Sequence, residues 1–285
     1  RGSDQHSRAS SAGPWPNYRY KRLMHATLTV LGSGTSMGVP TIGCDCAVCR
    51  SSDPRDRRTR PSVMISYRDP HDNARHVLID TTPDFREQAL REKITQLDAV
   101  LYTHTHADHI LGIDDLRPLT YKHKPGKLPL YATPRACEFL RNMFRYIFEA
   151  KYKFGGLPQV DLHPIEGQVE LFGARFEPLT VIHGDTPILG FRFGSAAYLT
   201  DHSEVPPETL EKLRGLDILF LDALRYTPHP THSTVEQSLK IVEEVKPKRA
   251  FFTHICHDLP HQATDATLPP GVKLAYDGMK LEFEI

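Results

Sequence analysis

Thr103-His104-Thr105-His106-Ala107-Asp108-His109 directly follows the apolar run Ala99-Val100-Leu101-Tyr102, and that junction decides how the rest of the chain is read. A short run of Val, Leu and Tyr reads as a buried strand, so the motif lies in a loop just past a strand end. Residues two apart in extended backbone share a face. His104 and His106 therefore point the same way, and the turn that follows brings Asp108 and His109 to a second position nearby. Neutral imidazole nitrogens and a carboxylate oxygen are the donors that suit Zn²⁺ and its borderline neighbours. Four such residues within six positions point to metal chemistry rather than to a solvated polar loop.

Three more apolar runs end in the same kind of residue: Thr180-Val181-Ile182-His183, Tyr198-Leu199-Thr200-Asp201 and Phe251-Phe252-Thr253-His254. Each alone reads more readily as a turn or capping residue than as a ligand. Their recurrence carries the argument, because strand ends along one sheet edge lie together and bring distant ligands to one place. The seven residues then suffice for a two-metal site with one bridging carboxylate. Such a site supplies hydroxide near neutral pH and clamps charge during displacement at phosphorus or a carbonyl carbon.

Further runs (TLTVLG from Thr27, VMISY, HVLID, LPLYAT, ILFLDA and KLEFEI) add strands bounded by Gly, Pro, Asp or Asn. Helical patterns fall between them. One opens at Thr133-Pro134 and runs to about residue 150, and one spans Pro207 to about Leu213. A third starts at a Ser233-to-Glu236 capping box, carries Leu239, Val242 and Val245, and stops near Lys246-Pro247. Strands in groups with helices among them predict one α/β domain over residues 23–285, sheet packed on sheet with helices outside. Residues 1–22, polar and rich in Ser, Arg and Pro, read as a mobile tail.

The chain has 285 residues, with Lys+Arg and Asp+Glu both at 35, so the formal charge is zero. That balance argues against a general polyanion binder. No apolar run approaches the ~20 residues that cross a bilayer, and no apolar leader opens the chain. Five cysteines, an odd number, fit a reducing cytosol, where clustered thiols bind metal more often than they pair.

With HTHADH followed by His183, Asp201 and His254, the sequence resembles the metallo-β-lactamase superfamily over roughly residues 27–285. The opening Leu31-Gly-Ser-Gly-Thr-Ser-Met-Gly-Val-Pro40 is similar to its phosphodiesterase branch, which includes ribonuclease Z. The nearest likeness is to the phosphoribosyl cyclic phosphodiesterases, because of Cys44-x-Cys46-x-x-Cys49. A tetrahedral structural zinc wants a fourth ligand, and the resemblance supplies His257, three positions after His254; Cys256 is the rival. Cys137 reads as core.

The resemblance implies an αββα four-layer sandwich and two divalent ions, Zn²⁺ or Mn²⁺, at the active site, besides the structural Zn²⁺. His104, His106 and His183 would hold one ion and Asp108, His109 and His254 the other, with Asp201 bridging. It implies a phosphodiesterase acting on a small, cyclic ribose- or nucleotide-type diester. By the same resemblance His232 is expected to be the general acid, an assignment compatible with an ordinary imidazole pKa near 6.5; His229 is the alternative. Catalysis is thus expected to centre on Asp108 and His232. Asp80, in Asp80-Thr-Thr-Pro-Asp84, is expected to orient a liganding imidazole through its other nitrogen. Asp114 and Asp115 read equally as helix caps, and Arg55 to Arg60 as a solvated basic run or an anion-binding loop. Gly32-Ser33-Gly34 lacks the rest of a dinucleotide fingerprint.

The expected partner is a small phosphodiester or nucleotide-like substrate, with a homodimer admitted, nucleic acid less favoured and no membrane. Three rivals stand beside this reading. A hydroxyacylglutathione-type thioesterase shares H-x-H-x-D-H but needs neither the cysteine loop nor His232. A ribonuclease Z-like tRNA 3′-processing enzyme usually grips tRNA with a basic arm, for which no long basic insertion is visible. A non-catalytic metal or redox module is the third; di-iron redox relatives carry Glu where this chain has His106.

Overall fold

Neighbouring residues of the central strands are apolar on both sides of the pleat, which means that both faces of each sheet are covered. Val30, Val63, Val77 and Leu101 face one hydrophobic cluster, while their neighbours Leu31, Met64, Leu78 and Val100 face another. In the second half of the chain Tyr198, Phe220 and Phe251 join the first cluster, and Leu199, Leu221 and Phe252 belong to a third. The shared cluster is the slab between two sheets. The other two lie under helices on the outer faces.

The computed structural model describes residues 24–121, 126–149 and 156–285. The tail expected over residues 1–22 lies outside the described residues. Strands β1 (His25–Gly32), β2 (Ser62–Arg68), β3 (Ala74–Ile79), β4 (Ala99–Leu101), β5 (Leu128–Ala132) and β6 (Val160–Pro164) build the first sheet. Strands β7 (Val169–Leu171), β8 (Ala174–His183), β9 (Thr186–Phe193), β10 (Ala196–Leu199), β11 (Ile218–Asp222), β12 (Arg249–Thr253) and β13 (Val272–Leu274) build the second. The last strand, β14 (Lys280–Glu284), returns to the first sheet beside β1. The orders are β14-β1-β2-β3-β4-β5-β6 and β13-β12-β11-β10-β9-β8-β7. From β3 to β6, and from β10 to β13, neighbours pair in parallel; the remaining neighbours pair antiparallel. Two mixed sheets flanked by helices form the expected αββα sandwich.

Two local expectations change. The helix from Pro134 stops at Met143, and Arg145–Phe148 forms a separate turn. Phe144 leaves helical geometry at φ −108°, ψ 42° and its ring is buried in the outer cluster of the first sheet. The capping box of the helix Val235–Val245 sits one residue later than read: Thr234 caps it and Gln237 answers. Ser233 is engaged elsewhere, its hydroxyl 3.0 Å from His202 Nδ1.

The Gly32-Ser33-Gly34 loop lies hard against residues 58–60. A Cβ at Gly32 would stand 1.9 Å from the Arg60 carbonyl oxygen, whereas one at Gly167 would meet nothing within 4 Å. Gly32→Ala should therefore cost about 2–3 kcal/mol of stability, as overpacking does, and Gly167→Ala almost nothing. Urea unfolding of the two variants measures the difference.

Candidate metal centre and active site

The strand ends that carry chemistry meet at one rim, and both sheets contribute to it. This corrects the expectation of a single sheet edge. His104 to His109 follow β4 of the first sheet; His183 ends β8, and Asp201 and His254 follow β10 and β12, of the second. The chain turns abruptly at these ends. Asp80, Asp201 and His254 adopt φ of 65°, 58° and 58°, left-handed backbone that is uncommon outside glycine and concentrates at functional sites. Past His106 the chain enters a helical turn, Ala107–Ile110, which swings Asp108 and His109 inward.

Two candidate ligand groups result. In one, His104, His106 and His183 each offer a ring nitrogen within 4.8 Å of the others; in the second, Asp108, His109, Asp201 and His254 do the same. Asp201 Oδ2 lies 3.3 Å from His109 Nε2, 3.2 Å from His254 Nε2 and 4.0 Å from His104 Nε2, so one carboxylate oxygen reaches both groups. Among the described residues, the buried atoms His104 Nε2, His109 Nε2, His254 Nε2 and Asp108 Oδ2 find no hydrogen-bond partner, a costly arrangement unless something else satisfies them. Divalent cations fit this donor set of five imidazoles and two carboxylates.

Neighbouring groups hold the rings in ligating tautomers. His183 Nδ1 donates to the Thr231 carbonyl at 2.7 Å, leaving Nε2 with its lone pair free. Asp80 Oδ2 lies 2.7 Å from His109 Nδ1, and Asp80 also accepts from the Thr103 N–H at 2.8 Å. It therefore turns away from the ligand cluster and orients an imidazole. Burial holds His104, His106 and His183 below their ordinary pKa, so they are neutral near pH 7. For Asp201, burial works upward, but His254 and His109 outweigh it and keep the carboxylate well below its usual range.

A separate cluster lies in the loop after Pro40. Sγ of Cys44, Cys46 and Cys49 lie 3.2, 3.6 and 3.5 Å from His257 Nδ1. Tetrahedral zinc with ordinary Zn–S and Zn–N bonds sets such donors about 3.5 Å apart, so the four residues fit that ion. Cys256 is buried outside the cluster, its sulfur accepting from Asp258 N–H at 3.4 Å. Cys137 is core.

His232 stands beside the ligands, its ring stacked on His254 at 4.5 Å and 4.8 Å from that of His183. Its Nδ1 meets Asp222 Oδ2 at 2.7 Å. Burial, then the His254 imidazole, push His232 down to about 3, while burial pushes Asp222 up. Nε2 is the nitrogen left for a ligand. Sequence reasoning missed Asp222, although it ends β11 as Asp201 follows β10. His229 lies 5.1 Å from His232, with Nδ1 within 3.2 Å of Thr231 Oγ1. Asp114 and Asp115 fall in a 3₁₀ segment, Leu111–Leu116. The basic run is largely consumed internally: Arg55 pairs with Asp53, Arg58 with Asp56 and Arg60 with Asp84. Arg58 is fully buried and also donates to the carbonyls of Cys256 and Leu259 at 2.7 and 2.6 Å.

Residues 75–255 match the family described as a beta-lactamase superfamily domain. The chain belongs to the beta-lactamase superfamily. This agrees with the resemblance carried by HTHADH, and the rim carries the His/Asp donors that suit divalent metal in a metallo-β-lactamase fold. A solved diphosphatase of the PhnP family superposes with a TM-score of 0.86 at 60% identity, covering 92% of this chain and 99% of that one. Human tRNase Z, short form, shares the fold at 17% identity and a TM-score of 0.60, with 90% and 98% coverage. A Porphyromonas gingivalis octanoyltransferase is 39% identical over 255 residues, 88% of this chain; the chain spans half the length of that relative. A Methylobacterium nodulans coenzyme PQQ synthesis protein B is 24% identical over 88% of this chain and 98% of its own.

Asp80→Asn keeps a residue that tolerates left-handed backbone but removes the charge behind His109 and one of the two acceptor oxygens that serve Thr103 and His109. It should lower affinity for the active-site metal about 10–100-fold, read by competition with a fluorescent chelator. Cys46→Ser should lower tightly bound zinc by one equivalent per chain, measured by elemental analysis, and leave the His/Asp centre loaded.

Proposed function

We propose that this superfamily member hydrolyses a phosphoric diester of a small ribose- or nucleotide-type substrate, cyclic forms included, to a monoester and an alcohol. The observation that carries the reading is the Asp222–His232 pair beside the two ligand groups, a proton-handling device placed next to a metal centre. When bound, two divalent cations would activate water near neutral pH and withdraw charge from the phosphoryl oxygens. His104, His106 and His183 would hold one, and Asp108, His109 and His254 the other, with Asp201 shared between them. Cys44, Cys46, Cys49 and His257 would hold a structural Zn²⁺.

The chain's own part in the reaction is orientation and proton transfer. Asp222 engages Nδ1 of His232 and so turns Nε2 toward the substrate. From Nε2 a proton passes to the departing oxygen as the P–O bond breaks. An anionic phosphoryl group arriving beside the ring favours its protonated form, which offsets the burial that lowers it. The PhnP-family neighbour, 60% identical and described as a diphosphatase, favours a second reading: cleavage of a diphosphate linkage. A departing phosphate needs a proton less than a departing alkoxide does, so the same residue discriminates the two.

Metal-loaded protein should hydrolyse bis(p-nitrophenyl) phosphate and lose that activity with EDTA. His232→Ala should reduce kcat about 10²-fold or more on an alkyl diester, and less on p-nitrophenyl esters or a nucleotide diphosphate ester. Asp222→Asn should flatten the limb of the pH profile set by His232. Full metal occupancy with no diester or diphosphate turnover would overturn the assignment and favour thioester hydrolysis.

A further inference from the structure

A cavity of about 720 Å³ opens beside the metal centre, lined by His104 and His106 and also by the helix Pro134–Met143 and β9. Its size matches sites that enclose a compact organic ligand, about 300–1,000 Å³. Phe139 on this lining keeps 45% of its surface exposed, although an aromatic ring gains most when covered. Ile188 and Leu189 add apolar surface from β9. The polar lining is balanced: Arg135 and Glu138 contribute one charge of each sign, and Asn142 offers both donors and an acceptor. No carboxylate partner of Arg135 occurs among the described residues, so its donors remain available. A second phosphate would meet Glu138, whereas a neutral ring edged with donors and acceptors matches every group named.

We infer that this cavity receives a heteroaromatic base carried by the substrate, with Phe139 as its stacking platform and Arg135, Glu138 and Asn142 reading its edges. The inference rests on the diesterase reading of the adjacent centre and narrows its substrate to nucleoside-bearing phosphates over bare ribose phosphates. Continuity with His104 and His106 places the reacting phosphoryl group at the ligands while the base occupies the cavity. Ile188 and Leu189 bound the same space.

The test compares two diesters with one leaving group, thymidine 5′-(p-nitrophenyl phosphate) and methyl p-nitrophenyl phosphate, on the metal-loaded full chain. The nucleoside ester should have a kcat/KM about tenfold higher, as base–aromatic stacking implies. Phe139→Ala should collapse that ratio toward one and Phe139→Trp should restore it. Calorimetry with thymidine 5′-monophosphate and ribose 5-phosphate supplies a readout independent of turnover. The nucleotide should bind about tenfold more tightly, and Phe139→Ala should erase the margin. Equal affinity of the two ligands, or a margin unmoved by Phe139→Ala, overturns the inference. Turnover of neither ester with the binding margin intact overturns the diesterase reading and leaves the base site standing.

Discussion

The slab of side chains between the two sheets constrains everything above it. Leu28, Ile65 and Ile79 from one side meet Phe176, Phe191 and Phe220 from the other, all fully buried. Helices bury the outer faces as well, so an unpaired polar side chain within a central strand would face hydrocarbon on either side, at a cost of several kcal/mol. Polar chemistry is thereby driven to the strand ends. Asp80, His104, His183, Asp201, Asp222 and His254 stand there because the strands below exclude them.

Once confined to a rim, these groups compensate one another. Imidazoles hold Asp201 ionised against its own burial, and Asp80 holds the ring of His109 from behind. The left-handed backbone at Asp80, Asp201 and His254 folds each side chain back over the sheet end, a conformation that costs about 1–3 kcal/mol apiece and that the packed strands beneath enforce. On the neighbouring loop, Arg58 donates to the carbonyls of Cys256 and Leu259, tying its own loop to the segment that carries both His254 and His257.

Much of this was legible in the residues. HTHADH after an apolar run, and the repeated ending of strands in His or Asp, mark the seven ligand candidates in the sequence alone. Three thiols in six residues marked the second cluster. Most of what escaped had no signature of type or spacing, although Asp222 shared the strand-end position of the ligand candidates. Asp222 looked like the last letter of a buried strand, and only its contact with His232 distinguishes it. Thr231 acts on His183 through a backbone carbonyl, which every residue possesses. Ser233 looked like a helix cap and instead meets His202, a competition visible only when both loops are in place. The end of the helix at Met143 depends on where Phe144 can bury its ring, which is a tertiary matter rather than a local one.

The division of ligands between the sheets has a mechanical consequence. His104, His106, Asp108 and His109 belong to the first half of the chain; His183, Asp201 and His254 belong to the second. An ion held by both sets would act as a bolt driven across the seam, since parting the sheets would dismantle its coordination sphere. Because such an ion has its full set of donors only in the folded state, its binding energy would count toward holding the whole sandwich shut. Neither half alone carries a complete set of these donors.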